Sequence, residues 1–222
     1  MPYIPHPIIT KDYPENAQRG VMICGINFGY SDEDKKHELA GVFSEAERLS
    51  FFSDSAVNNT RFRNRILTWL SSWDIELATS SGNETMLERS FFQTNWLNTQ
   101  TNSITSDSDI TTAVLVREAD GVLNLLNDRK PRIIFLVGSR LIEALNDISL
   151  RERVESIFGI RSGNALVHRT NSSTVSGKRF KLLTQSFGHT KVIGLPHVQT
   201  RGLTDEYIAS FKPIIQSQFR SL

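Results

Sequence analysis

Gly25-Ile26-Asn27-Phe28-Gly29 sets one amide side chain between two glycines, directly behind the apolar run Val21-Met22-Ile23-Cys24. A buried strand that ends in a glycine-rich turn delivers its last polar side chain to the carboxyl edge of its sheet, where open α/β sheets place their ligands. Asn27 is therefore expected at a ligand-binding edge, with Gly25 and Gly29 allowing close backbone approach to a bound group. Late in the chain, Gly194-Leu195-Pro196-His197 repeats the arrangement with a histidine. An amide that can donate and accept and an imidazole that can do either are thus presented in the same way.

The intervening pattern supplies the elements that would hold these residues. Residues 21–29 read as a buried strand. Residues 32–53 carry Leu39, Val42, Phe43, Ala46 and Leu49 at helical spacing, and residues 57–73 carry Phe62, Ile66, Trp69 and Leu70 likewise, with Asn58-Asn59-Thr60 available as a cap. Residues 78–86 are polar and read as a loop. Phe91-Phe92-Gln93-Thr94-Asn95-Trp96-Leu97 reads as a second strand. The Ser/Thr/Asn/Asp-rich residues 98–109 form a long connection of the kind that carries function. A helix over 110–128 follows, then the strand Ile133-Ile134-Phe135-Leu136-Val137-Gly138, then a short helix that Ser139 is placed to cap, and another around 149–158. Residues 161–177 read as irregular, residues 179–187 and 191–196 as two strands around Gly188-His189, and residues 204–219 as a closing helix opened by Thr204-Asp205-Glu206. The alternation predicts one α/β domain over residues 1–222, a three-layer α/β/α sandwich with a short, mostly parallel central sheet, behind an irregular lead-in over 1–20.

Composition narrows the classes. A chain of 222 residues, 39% hydrophobic and 22% charged, with a formal net charge of +1, suits one globular domain and not a strongly cationic coat for nucleic acid. No run reaches the roughly 18–20 apolar residues that span a membrane, and the N-terminus lacks the charged start and apolar stretch of a signal peptide. A cytoplasmic protein, monomeric by default, is the expectation. Cys24 is the single cysteine, so no intramolecular disulfide and no cysteine-built metal site can form; its apolar strand predicts a buried thiol. His37, His168 and His189 have no partner at metal-ligand spacing.

The motifs, taken in order, resemble those of the uracil-DNA glycosylase superfamily. Gly25-Ile26-Asn27-Phe28-Gly29 is similar to its first motif, which in several branches reads Gly-Ile/Met-Asn-Pro-Gly. Leu195-Pro196-His197-Val198-Gln199-Thr200-Arg201-Gly202-Leu203 is similar to the second, a His-Pro-Ser followed by a DNA-penetrating loop. Phe91-Phe92-Gln93-Thr94-Asn95 resembles the strand that ends in the base-reading asparagine, and residues 133–138 the next core strand. The resemblance spans roughly residues 20–215.

The resemblance implies a monofunctional DNA glycosylase that needs no metal or organic cofactor. Base cleavage passes through an oxocarbenium-like sugar while negative charge gathers on the departing base of an extruded nucleotide. Asn27 would place the water, His197 would donate to or electrostatically favour the leaving base, and Asn95 would read the Watson–Crick edge of a flipped pyrimidine. Gly25, Ile26 and Phe28 would shape the base pocket, and Phe51 or Phe52 (with Phe43 also open) would stack on the base. For DNA contact the resemblance points to Ser139 and Arg140 at the same sheet edge and to Gln199, Thr200, Arg201 and Leu203 in the late loop, where Arg201 or Leu203 would act as the wedge. Arg61, Arg63 and Arg65, and Lys178, Arg179 and Lys181, are further basic candidates for phosphate contact or for solvated surface. No lysine sits in the motifs to form a Schiff base.

The chain departs from the family pattern in four ways. Phe28 stands where proline is expected, no tyrosine-histidine pair follows the first motif as in the classical uracil-excising branch although Tyr30 is nearby, Val198 and Gln199 stand in place of Pro-Ser, and four cysteines for an iron–sulfur cluster are absent. The expected substrate class is accordingly broad: a damaged, deaminated or enzymatically modified base, including one in modified viral DNA. Against this stand plainer readings. Asn27 could cap a turn, Asn95 could satisfy a strand end, His197 could be an exposed loop histidine, and Phe51 and Phe52 could be core. Two rival functions follow: a non-catalytic nucleic-acid-binding module of the same fold, and a nucleotide or small-molecule hydrolase on a Rossmann-like sheet. For the second, Gly25-x-x-x-Gly29 lacks the third glycine of a dinucleotide fingerprint.

Overall fold

The computed structural model of the chain describes residues 6–26, 50, 60–77, 82–98, 110–170 and 180–220. Six strands form one sheet: β1 (Val21–Gly25), β2 (Phe91–Asn95), β3 (Ile133–Val137), β4 (Leu166–His168), β5 (Leu182–Ser186) and β6 (Lys191–Leu195), in the order β2-β1-β3-β6-β5-β4. The first four in that order run parallel, while β5 and β4 are antiparallel. The architecture is the mostly parallel α/β sheet that the alternation of apolar runs predicts.

The central strands are apolar throughout because both faces are covered. Their period-two side chains divide between two cores. Met22 and Cys24 of β1, Phe92 of β2, Ile134 and Leu136 of β3, and Val192 of β6 join one core with α5 (Asp120–Arg129), α6 (Ser139–Leu145) and α7 (Arg151–Phe158). Val21 and Ile23, Phe91, Ile133, Phe135 and Val137, and Ile193 and Leu195 join the other with α2 (Arg61–Ser72), α8 (Asp205–Ala209) and α9 (Lys212–Arg220). Cys24 is fully buried in the first of these cores, and desolvation pushes its thiol pKa far up, so it is an inert packing group.

Several boundaries differ from the expected ones, each for a local reason. The helix expected over 110–128 is two, α4 (Thr112–Arg117) and α5; the chain turns at Glu118 and Ala119, and Leu115 and Val122 are both fully buried on either side of the turn. The closing helix is also two. Pro213 sits in the first turn of α9, and its missing N–H prevents α8 from running on through it. Thr60 caps α2, its side chain accepting from the Arg63 N–H, and Thr85 with Glu88 forms a reciprocal capping box on α3 (Met86–Arg89), a helix that starts at the end of the expected loop. β4 lies inside the stretch expected to be irregular; three residues are too few to show a period. Gly138, not Ser139, occupies the cap position of α6, and Ser139 is its first residue.

The expected irregular lead-in packs on the outer edge of β2. It contains α1 (Pro14–Ala17). The Ile9 N–H donates to the Gln93 carbonyl (2.9 Å), Thr10 Oγ1 accepts from the Gln93 N–H (3.0 Å) and Thr94 Oγ1 donates to the Pro7 carbonyl (2.6 Å). These bonds satisfy backbone groups that an exposed edge strand would leave open to other chains. Among the described residues, no helix is long and apolar enough to cross a membrane.

His6 closes this strap. Its Nε2 lies 2.7 Å from the Asn95 carbonyl, while Nδ1 is buried without a partner. Burial lowers its pKa, because protonation would set a second N–H where no acceptor faces it; the Asn95 carbonyl opposes this only in part. The folded pKa is therefore below the unfolded value of about 6.5. As pH falls below that value the unfolded chain takes up the proton first, and stability is lost on the way down to the folded pKa. Burial shifts His168 in the same direction. The melting temperature is expected to be lower at pH 5 than at pH 7, with His6→Gln reducing the slope and His168 supplying part of what is left. Calorimetry across that range checks it; an unchanged slope in His6→Gln would refute the assignment.

Candidate active site

Because the parallel strands are paired in level register, their carboxyl ends come out side by side. Gly25 is opposite Asn95, Cys24 is opposite Leu136, and Val137 is opposite Leu195. Ile26, which follows β1, and Gly138, which follows β3, face each other across a crevice at this edge, the edge where open α/β sheets place their ligands.

A cavity of about 400 Å3 lies at this edge. Of the residues expected from the sequence, it brings together Ile26, Ser139, Arg140, His197 and Thr200. Gly138 permits the crevice. Its φ is +134°, a region that L side chains rarely adopt, and a Cβ there would lie 3.0 Å from Ile26 Cδ1. Asn27 follows Ile26 directly but lies, with Phe28, Phe43, Phe51 and Phe52, outside the described residues, as do Lys178 and Arg179.

Asn95 stands one strand away and does not line the cavity. It is 5% exposed and its side chain rests on Gly25, where a Cβ would come within 2.2 Å of Asn95 Oδ1. The Phe62 ring from α2 reaches the same spot, 3.6 Å from that Cβ position. An amide and an aromatic ring therefore meet above Gly25, on the α2 face of the sheet.

The Nδ1 of His197 accepts from the Gln199 N–H at 3.3 Å. A neutral ring that accepts at Nδ1 carries its proton on Nε2, the form that can donate to a ligand. Arg140 Nη1 donates to the Ile110 carbonyl, tying the start of α6 to the residue just ahead of the α4 cap, Thr111. Residues of this wall that the sequence did not single out are Ile110, Glu143, Phe180 and Leu183. Phe180 packs edge-on against Tyr207, with ring centroids 6.0 Å apart, and its carbonyl accepts from Tyr207 Oη at 2.6 Å. Lys181, expected only as part of a basic run, also lines the cavity.

The late loop is held by Arg65. Its Nη1 donates to the Val198 carbonyl at 2.5 Å, its Nη2 donates to the Leu203 carbonyl, and its Nε lies 3.1 Å from Asp205 Oδ1. Trp69, one turn along α2, donates from Nε1 to the same carboxylate oxygen at 2.9 Å. The spacing of four puts both side chains on one face of the helix. The sequence placed Arg65 in a basic run open to phosphates; in the fold it is a structural clamp, and Arg63 is 3% exposed, which leaves Arg61 as the exposed member. Leu203 is also corrected: it is 6% exposed and packed into the second core, so it is no wedge in this conformation. Arg201 and Gln199 are exposed at the loop's surface.

The sequence matches no protein-family model and no curated protein.

Two outcomes follow from this geometry. Arg65→Ala is expected to cost about 2 kcal/mol in denaturant unfolding, since two charged hydrogen bonds and a half-exposed ion pair are lost together. Faster amide exchange should be confined to residues 198–205, and unchanged exchange there would contradict the clamp. Gly25→Ala is expected to destabilise by about 1–3 kcal/mol, because Asn95 must leave its place over the strand end; chemical denaturation measures it.

Proposed function

We propose that the chain is a monofunctional DNA glycosylase that hydrolyses the N-glycosidic bond of a damaged, deaminated or modified base flipped from DNA, leaving an abasic site. The observation that carries the reading is the convergence of Ile26, Ser139, Arg140, His197 and Thr200 on one cavity at the carboxyl edge of the sheet. The ordered resemblance of the motifs assigns the chemistry to that edge.

In this reading Asn27, next in the chain after Ile26, orients a water towards the anomeric carbon. The carbon–nitrogen bond to the base breaks, the water oxygen bonds to the sugar and keeps one hydrogen as the new hydroxyl, and its other proton passes to solvent, from which the departed base takes one up. The base leaves with the bonding electron pair, and the Nε2–H of His197 stabilises its developing charge. A positioned nucleophile suffices because the sugar is already cationic in the transition state. Asn95 and Phe62 supply an amide edge and a ring face of the kind that recognises an extruded base. Arg140, Lys181 and the exposed Arg201 offer charge for the flanking phosphates, so a protein of near-neutral charge still engages DNA locally.

Abasic-site formation tests the proposal. Duplex and single-stranded DNAs carrying uracil, hypoxanthine, 5-hydroxymethylcytosine or glucosylated cytosine would be incubated with the protein and then treated with alkali. Strand breakage is expected on at least one substrate. Asn27→Ala is expected to slow it by about a hundredfold, and His197→Gln by a similar factor. If DNA binds without breakage on any substrate, the chain is a non-catalytic module and the proposal fails.

A further inference from the structure

We propose a second, anion-binding site at the opposite edge of the sheet, for a nucleotide-sized phosphorylated small molecule. A cavity of about 600 Å3 opens there, among residues that precede β1 and β3 and the turn that leads into β6. Its volume is in the range of small-molecule sites. Strands of five residues separate it by about 16 Å from the carboxyl-edge cavity, so it is no extension of the proposed active site.

Three cationic side chains line it: Arg19, Arg132 and Lys191. The backbone fixes where they start. The Arg19 N–H donates to the Arg129 carbonyl (2.8 Å), the Arg132 N–H to the Gly20 carbonyl (3.0 Å) and the Lys191 N–H to the Arg132 carbonyl (2.9 Å). Arg19 is held at a φ of +58°, a left-handed conformation uncommon for a non-glycine residue. Neither arginine has an acidic partner among the described residues, and Arg132 Nε is buried with no acceptor. A buried guanidinium N–H without an acceptor is costly unless something supplies one. Lys191 Nζ donates to Ser186 Oγ at 2.9 Å and keeps two further donors.

The one carboxylate on the lining, Glu15, is already offset: its Oε1 lies 3.1 Å from Arg89 Nε. Its Oε2 is buried without a partner. The cavity therefore offers an anion two guanidinium groups that have no acidic partner among the described residues. Guanidinium forks match phosphate oxygens in pairs, and the cavity's volume leaves room for a sugar and base beside them. A concave cleft suits a compact ligand of this kind better than an extended polymer.

Titration calorimetry of the whole chain with ADP and with pyrophosphate, at constant ionic strength, tests the site. Saturable binding of ADP is expected, weaker for pyrophosphate, which cannot reach both ends of the cavity. The Arg19→Gln/Arg132→Gln double variant should bind ADP at least about tenfold more weakly. The exposed Arg19→Gln alone, which leaves the packing intact, should weaken it in the same direction if the double variant does not fold. Arg140→Gln, at the other edge, should bind ADP as the wild type does. Absence of ADP binding at millimolar concentration, equal binding by the wild type and the arginine variants, loss of binding in Arg140→Gln, or displacement of ADP by duplex DNA would each overturn the proposal.

Discussion

Level register among four parallel strands is the constraint on which the molecule depends. Val21 is set opposite both Phe91 and Ile133, and Ile133 opposite Lys191, so β2, β1, β3 and β6 begin together and end together. A slip of one residue would exchange the two cores, sending Met22 and Cys24 to the face now filled by Val21 and Ile23. It would also stagger the strand ends. Convergence of Ile26, Gly138 and His197 on one cavity is thus a consequence of core packing, not of contacts among the site residues themselves.

Two further devices refine that edge. Close approach is one: Asn95 rests on Gly25, where a side chain finds no room, and Ile26 closes on Gly138, where the positive φ disfavours one. The Arg65 clamp is the other. It takes the carbonyls at either end of the 198–203 loop and the first residue of α8 on a single side chain, so the loop carrying Gln199 and Arg201 is braced by the helix packed beside it on the same face of the sheet. His197 lies just ahead of that braced segment and is oriented by the Gln199 N–H.

Much of the scaffold was legible in the sequence because its signals are strong and local. Val21-Met22-Ile23-Cys24 and Ile133-Ile134-Phe135-Leu136-Val137 read as buried parallel strands, and they are buried on both faces. Ser139 and Arg140 read as following a strand to the same edge as the first motif, and they line a cavity at that edge with Ile26, His197 and Thr200. What escaped depends on the third dimension. Pairing of Arg65 with a carbonyl 138 residues away has no local signature, and the basic run around it invites a surface reading. Leu203 resembled a wedge by position, whereas the core takes it inward. Phe62 was read as one apolar position on a helix, and its place beside Asn95 appears only when α2 is laid over β1. The cationic cavity at the other edge is assembled from Arg19, Arg132 and Lys191, each ordinary in its own stretch.

The central claim is that the carboxyl edge is where the chain opens and holds an extruded nucleotide. Hydrogen–deuterium exchange of the whole protein, alone and with a duplex carrying a stable abasic-site analogue, tests it most directly. The account predicts new protection in the segments around Ile26, Gly138 to Leu141 and Pro196 to Leu203, with no change at Arg132 or Lys191. Protection absent from the carboxyl edge, or confined to the opposite one, would contradict it.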